Sequence, residues 1–264
     1  MSTAPQITNM KAEVLKIDEQ ENTVSEQVIQ PHSVWQSIIL HLLPGVLVLV
    51  FFVMAVPFVE HLGLPLRFAT MLGVFLILIP FELGVLFFEG KKRNGRFTLT
   101  GIVAYREKIP QLQYFLWVPL LVVWSSFWAL IYPPFGNFLV KTVFHWLPNW
   151  FINLDNSGTS KEILFVMVSL FGIANVSAAI VEELYFRGYL MPRLSRIKGW
   201  APLVNTVLFA LQHFRTPWQQ PFIILGVLPQ AYLVSKKRNL LLGILAHSIL
   251  NLLSTILLIM SVFG

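Results

Sequence analysis

The chain has no cysteine in its 264 residues. That excludes a disulfide framework, a thiol nucleophile, a thiolate metal site and lipidation of the chain itself on cysteine. Charge is also scarce: Asp, Glu, Lys and Arg make up 12% of the residues against 56% hydrophobic ones, and mean hydropathy is +0.69. Such a composition lies outside that of an ordinary soluble domain and specifies an integral membrane protein. No cleavable leader is expected, because the first apolar run begins near Trp35 behind a polar tail without a basic stretch. The first span then serves as an uncleaved anchor. No repeat relates the two halves, which weighs against a transporter built from inverted repeats. The net charge of +6 comes from basic residues clustered in short links between apolar runs. They read as topology signals, with no nucleic-acid footprint.

What is present is a series of apolar runs, and the spacing predicts an all-α, polytopic transmembrane bundle. Residues 1–34 form an acidic polar tail expected to be disordered. Residues 35–113 hold two spans, 35–59 with a kink at Pro44-Gly45 and 68–88, followed by a basic loop. Lys91, Lys92, Arg93, Arg96, Arg106 and Lys108 make that loop the strongest cytoplasmic signal. Residues 114–264 hold the rest. A span at 114–132 is expected to stop at Pro133-Pro134, and an outer interfacial segment carries Trp146, Trp150, Phe151 and Asp155. Further spans follow at about 162–190, 200–214, 221–234 and 240–263. About seven spans result, with the N-terminus inside and the C-terminus outside, and Arg193, Arg196, Lys198 and Lys236-Lys237-Arg238 on the same face as the first basic loop. The protein is accordingly expected in a membrane as a multi-pass chain, with lipids as its surroundings.

Within this apolar background, Glu182-Glu183-Leu184-Tyr185-Phe186-Arg187 puts three ionisable groups in one stretch of a span, where charge is costly and marks function. Glu183 and Arg187 are four apart, share a helix face and can pair, whereas Glu182 is turned about 100° away. Glu183 and Arg187 therefore read as a supporting pair and Glu182 as the available acid. Six histidines are present. His32, His61 and His145 lie in the tail or links, and His41 reads as a bundle-facing hydrogen bonder. His213 follows Phe209 by four, and His247 precedes Asn251 by four on one helix face. Counted from the basic helix ends, Glu182, His213, His247 and Asn251 lie roughly 12 to 20 Å deep by helical rise, in one layer.

A carboxylate and a neutral imidazole suit activation of a water, and a second imidazole with an amide suits an oxyanion. Glu182, His213 and His247 also match the donor types of a zinc site with one open position, although the HExxH pattern is absent. A divalent metal and no cofactor at all both remain open. Two other classes fit the same residues: a non-catalytic membrane partner conferring immunity to a peptide toxin, and a proton-coupled transporter using Glu182 and His213 as a relay.

Glu182-Glu183-x-x-x-Arg187, Phe209-x-x-x-His213 and His247-x-x-x-Asn251, in this order on successive spans, resemble the CPBP (CAAX protease and bacteriocin-processing, Abi) family of intramembrane proteases. The likeness covers roughly residues 115–263, and the string Glu182 to Gly188 resembles the prokaryotic branch. The resemblance implies an endopeptidase, glutamic or metallo-type, in a bacterial cell membrane, acting on a peptide or membrane-protein substrate. Prenylated CAAX peptides and bacteriocin-like peptides are the substrate classes it suggests. It further implies that Glu182 activates water with His213, that His247 and Asn251 hold the oxyanion, that Glu183 and Arg187 support the site and that Phe209 walls it.

Overall fold

The computed structural model describes residues 29–152 and 160–263, and every element within them is helical apart from one isolated bridge between Arg106 and Asn239. Residues 31–264 form one compact unit. The expected acidic tail, up to residue 28, and Asp155 lie outside the described residues. In chain order, α1 spans Val34–His61 and α2 spans Arg67–Asn94, the latter with a π-helical turn at Val74–Leu78. Helix α3 is Gln111–Thr142, α4 the short Asn149–Ile152, and α5 Lys161–Glu182, which continues as a π-helix through Glu183–Leu190. After tight turns to Trp200 come α6, Ala201–Leu211, then α7, Gln220–Lys237, and α8, Leu240–Phe263.

Among the described residues, five stretches are long and apolar enough to cross a membrane, and one of them, Ile163–Leu211, contains most of α5 and all of α6. The protein is thus an all-helical integral membrane protein. One expectation fails at α3, which does not stop at Pro133-Pro134 but continues to Thr142. A helix shielded from water has no better partner for its backbone than itself, and spans tolerate proline where neighbours satisfy the freed carbonyls. Two other prolines show how. Pro229 has no N–H for the carbonyl of Leu225, four residues back, and that oxygen accepts a 2.8 Å hydrogen bond from the Trp124 indole. Pro44 likewise frees the carbonyl of Leu40, which accepts one of 2.8 Å from the Tyr185 hydroxyl. The proline kink expected in α1 is therefore also the point where α1 is tied to the acidic stretch.

The basic links meet at one end of the bundle. Ala104 N–H donates to the Gly188 carbonyl at 2.8 Å, Leu240 N–H to Tyr105 at 2.7 Å, and Glu107 N–H to Arg238 at 3.0 Å. The Arg238 guanidinium pairs with the Glu107 carboxylate. Arg193 donates to the carbonyls of Tyr189 (2.7 Å) and Ile102 (3.2 Å). These bonds clamp the loop after α2 against the end of the π-helical stretch and the α7–α8 turn. The core inside this end is aromatic and aliphatic, with Tyr185, Phe186, Leu190, Leu242 and Ala246 fully buried.

At the same end, His32 precedes α1. Its N–H donates to the Arg193 carbonyl at 3.1 Å, and its ring meets the edge of Tyr189 at 5.6 Å between centroids. Burial, then the nearby Arg193 charge, lowers the His32 pKa from 6.5 to about 4. The folded state therefore holds neutral His32, and its contribution is complete above pH about 6.5. It is lost as pH falls toward 4, because the unfolded chain takes up the proton first. Protection of the amides of residues 32–36, taken relative to the intrinsic exchange rate at each pH, should fall between pH 6.5 and 4 in the wild type and change far less over that window in His32→Gln. Identical acid profiles for the two proteins would contradict this.

Candidate active site

Glu182 is the last residue of α5, and Glu183 begins the π-helical stretch. A π-turn widens the helix locally and is frequent at functional sites. Glu183 and Arg187 are both fully buried and pair at 3.4 Å, as their spacing predicts. Glu183 has two further partners on other helices. The Gln230 amide of α7 donates at 2.9 Å, and His247 Nδ1 of α8 lies 3.1 Å from the same Oε1. Room for this carboxylate comes from Gly243, where a Cβ would stand 2.5 Å from Glu183 Oε2 and 3.0 Å from Val234. Gly243→Ala should therefore displace Glu183 and lower stability by about 1–3 kcal/mol, the usual range for overpacking. Denaturation of the purified variant measures it, and wild-type stability would show that the carboxylate has slack.

Glu182 is differently placed. It is 6% exposed, accepts a 3.3 Å hydrogen bond from the Gln212 amide and stands 3.9 Å from His247 Nε2. No guanidinium pairs with it among the described residues. Gln212 can approach because α1 crosses it at Gly45, where any Cβ would overlap the Gln212 carbonyl oxygen. Neither Gln212 nor Gln230 carries a sequence signal of its own. They emerge only from helix packing.

Phe209 is the common wall. Its ring lies 5.0 Å from Phe186, 5.1 Å from His213 and 6.2 Å from His247, with the Arg187 guanidinium 3.9 Å from its centre. Cation–π attraction in a desolvated place is worth about 2 kcal/mol, so one ring both fixes Arg187 and spaces the imidazoles. His213 Nδ1 donates to the Phe209 carbonyl at 2.9 Å, which leaves Nε2 as the free acceptor of a neutral ring. Asn251 is the exception to the expected cluster. Its amide donates to the Asn175 carbonyl on α5 at 2.9 Å, and among the described residues no hydrogen bond joins it to Glu182 or either imidazole. His41 behaves as the hydrogen bonder expected: Nδ1 donates to Ser37 and Nε2 accepts from Asn205.

The donor set does not fit the zinc arrangement allowed by composition. Among the described residues, no three His, Asp or Glu side chains are grouped to hold a metal ion. Both imidazoles engage Nδ1, His247 with Glu183 and His213 with the Phe209 carbonyl, and their Nε2 atoms do not converge with Glu182 as a three-donor group. Glu82 is an unforeseen member of the neighbourhood. It is fully buried on α2, close enough to Glu182, Arg187 and Glu183 for their charges to act on it.

A protein-family model described as type II CAAX prenyl endopeptidase Rce1-like matches residues 164–253. That stretch contains every one of Glu182, Glu183, Arg187, Phe209, His213, His247 and Asn251. The match covers 90 of the 264 residues and supports membership of the CPBP family over that segment. Among curated proteins and solved structures nothing matches the chain significantly. The Rce1-like segment runs from α5 to α8 and so includes the acid pair, Phe209 and both imidazoles, while α1 and α2 with Glu82 lie outside it.

Proposed function

We propose that the protein is an intramembrane endopeptidase that cleaves a peptide bond near the C-terminus of a prenylated, CAAX-type substrate. The observation that carries this reading is the unequal treatment of two adjacent acids. Glu183 is paired with Arg187 and bound by Gln230 and His247, whereas Glu182 has no guanidinium partner, accepts one hydrogen bond from the Gln212 amide and stands 3.9 Å from His247 Nε2. A carboxylate with no guanidinium partner beside two imidazoles is the group able to take a proton from water.

Glu182 removes one proton from water as the oxygen attacks the scissile carbonyl carbon, with His213 Nε2 accepting a hydrogen bond from the same water. The carbonyl electrons move onto oxygen. His247 donates to that oxyanion from Nε2 while Nδ1 remains on Glu183, which requires both ring nitrogens to carry protons. Asn251 joins it by turning its amide from Asn175. As the tetrahedral intermediate collapses, the C–N bond breaks, and Glu182 returns its proton to the leaving nitrogen. Carboxylate and products then carry the charges they began with.

The test is cleavage of a prenylated peptide ending in a CAAX sequence, compared among wild type, Glu182→Ala and His213→Ala, with a chelator and metal add-back arm. Cleavage is expected only from the wild type and should persist in chelator. Equal cleavage by all three would overturn the assignment. Cleavage only of an unprenylated peptide would move the substrate class toward bacteriocin-like peptides.

A further inference from the structure

Glu82 lies in the middle of α2, outside the Rce1-like segment, and neither of its carboxyl oxygens has a hydrogen-bond partner among the described residues. An ionised carboxylate buried without a partner is among the most costly arrangements a protein can hold. The groups that face Glu82 sharpen this. Glu182 and Glu183 repel negative charge, Arg187 is already committed to Glu183, and the Tyr185 hydroxyl donates to Leu40. Three carboxyl groups thus share one guanidinium. Two carboxyl groups placed close together commonly share one proton for the same reason.

The backbone around Glu82 is built to put it there. The π-turn at Val74–Leu78 changes the phase of α2, and Pro80 follows two residues before Glu82. Helix α2 packs along α5, and the acid is fully buried rather than on the surface of the bundle. Glu182 immediately precedes the other π-helical stretch.

We propose that Glu82 is a positioning residue of this site, a neutral carboxylic acid whose O–H reaches Glu182 through one bridging water and holds that carboxylate toward the substrate. A bridging water makes nearly as good a link as a direct hydrogen bond. Glu82 neither gains nor loses a proton over the reaction. It supplies a donor without adding a second negative charge beside the base. This role rests on the endopeptidase reading of Glu182, but the state of Glu82 itself does not.

The experiment has two arms. Difference infrared spectroscopy of the resting protein at neutral pH should show a protonated-carboxyl carbonyl band that is absent in Glu82→Gln and retained in Glu182→Gln. This arm needs no activity, so it separates failure of the Glu82 assignment from failure of the proposed reaction. A band equal in wild type and Glu82→Gln would overturn the inference. In the second arm, Glu82→Leu, which fills the space without a donor, should lower kcat by about 10- to 100-fold with little change in KM, the scale of a misplaced catalytic group. Glu82→Gln, which keeps a neutral donor, should restore most of that loss. Full activity in Glu82→Leu, or a Glu82→Gln variant as impaired as Glu82→Leu, would also overturn it.

Discussion

Glu182→Gln should lower kcat by about 10²- to 10⁴-fold, the span that a positioned general acid–base group contributes, while leaving the fold intact. The substitution keeps the size of the side chain and an oxygen able to accept from Gln212, which now lies 3.3 Å from Glu182 Oε1. What it removes is the basic oxygen that faces His247 at 3.9 Å. Thermal denaturation should therefore barely move, because Glu182 has no guanidinium to strand and His247 keeps its 3.1 Å contact with Glu183. Turnover of the prenylated peptide and a melting curve on the same preparation check both halves. Wild-type turnover would remove Glu182 from the chemistry, and loss of fold would make it a structural residue like its neighbour.

Arg187→Met should instead be a stability defect first. Arg187 is fully buried, pairs with Glu183 at 3.4 Å and lies 3.9 Å above the centre of the Phe209 ring. Methionine can fill much of the volume, but Glu183 is left buried without its guanidinium, held only by Gln230 and His247. Breaking one side of such a pair costs about 3–5 kcal/mol, whereas replacing both partners by uncharged groups is often much milder. The double variant Glu183→Gln/Arg187→Met should accordingly unfold later than Arg187→Met alone. Denaturation midpoints of the single and double variants supply the cycle. Equal instability in both would mean that the guanidinium matters mainly for its contact with Phe209. Both variants should lose activity, since Glu183 also orients His247 at 3.1 Å.

The contrast between these two substitutions was legible in the sequence. Residues four apart on a helix meet whatever surrounds them, so Glu183 with Arg187, and Phe209 with His213, follow from local geometry. Hydropathy placed the helices for an equally simple reason, that backbone groups in an apolar medium must bond within their own segment. The end of α3 was misjudged because Pro133-Pro134 stops a helix in water more readily than in a bundle that satisfies its carbonyls. The metal option was open for a related reason. Donor types can be counted along a chain, but their convergence cannot.

The sequence by itself determined the membrane-embedded helical class, the pairing of Glu183 with Arg187 and the residues worth testing. Only the tertiary structure decided who their partners are. His247 turns to Glu183, Gln212 to Glu182 and Gln230 to Glu183, across separations no local rule reaches. Those contacts depend on where helices approach closely, as Gly45 and Gly243 allow. Glu82 is the clearest case. On its own span it is a lone acid in an apolar run, and it becomes part of a site only because α2 packs against α5. Burial without a partner then turns an ordinary carboxyl group into one whose proton matters.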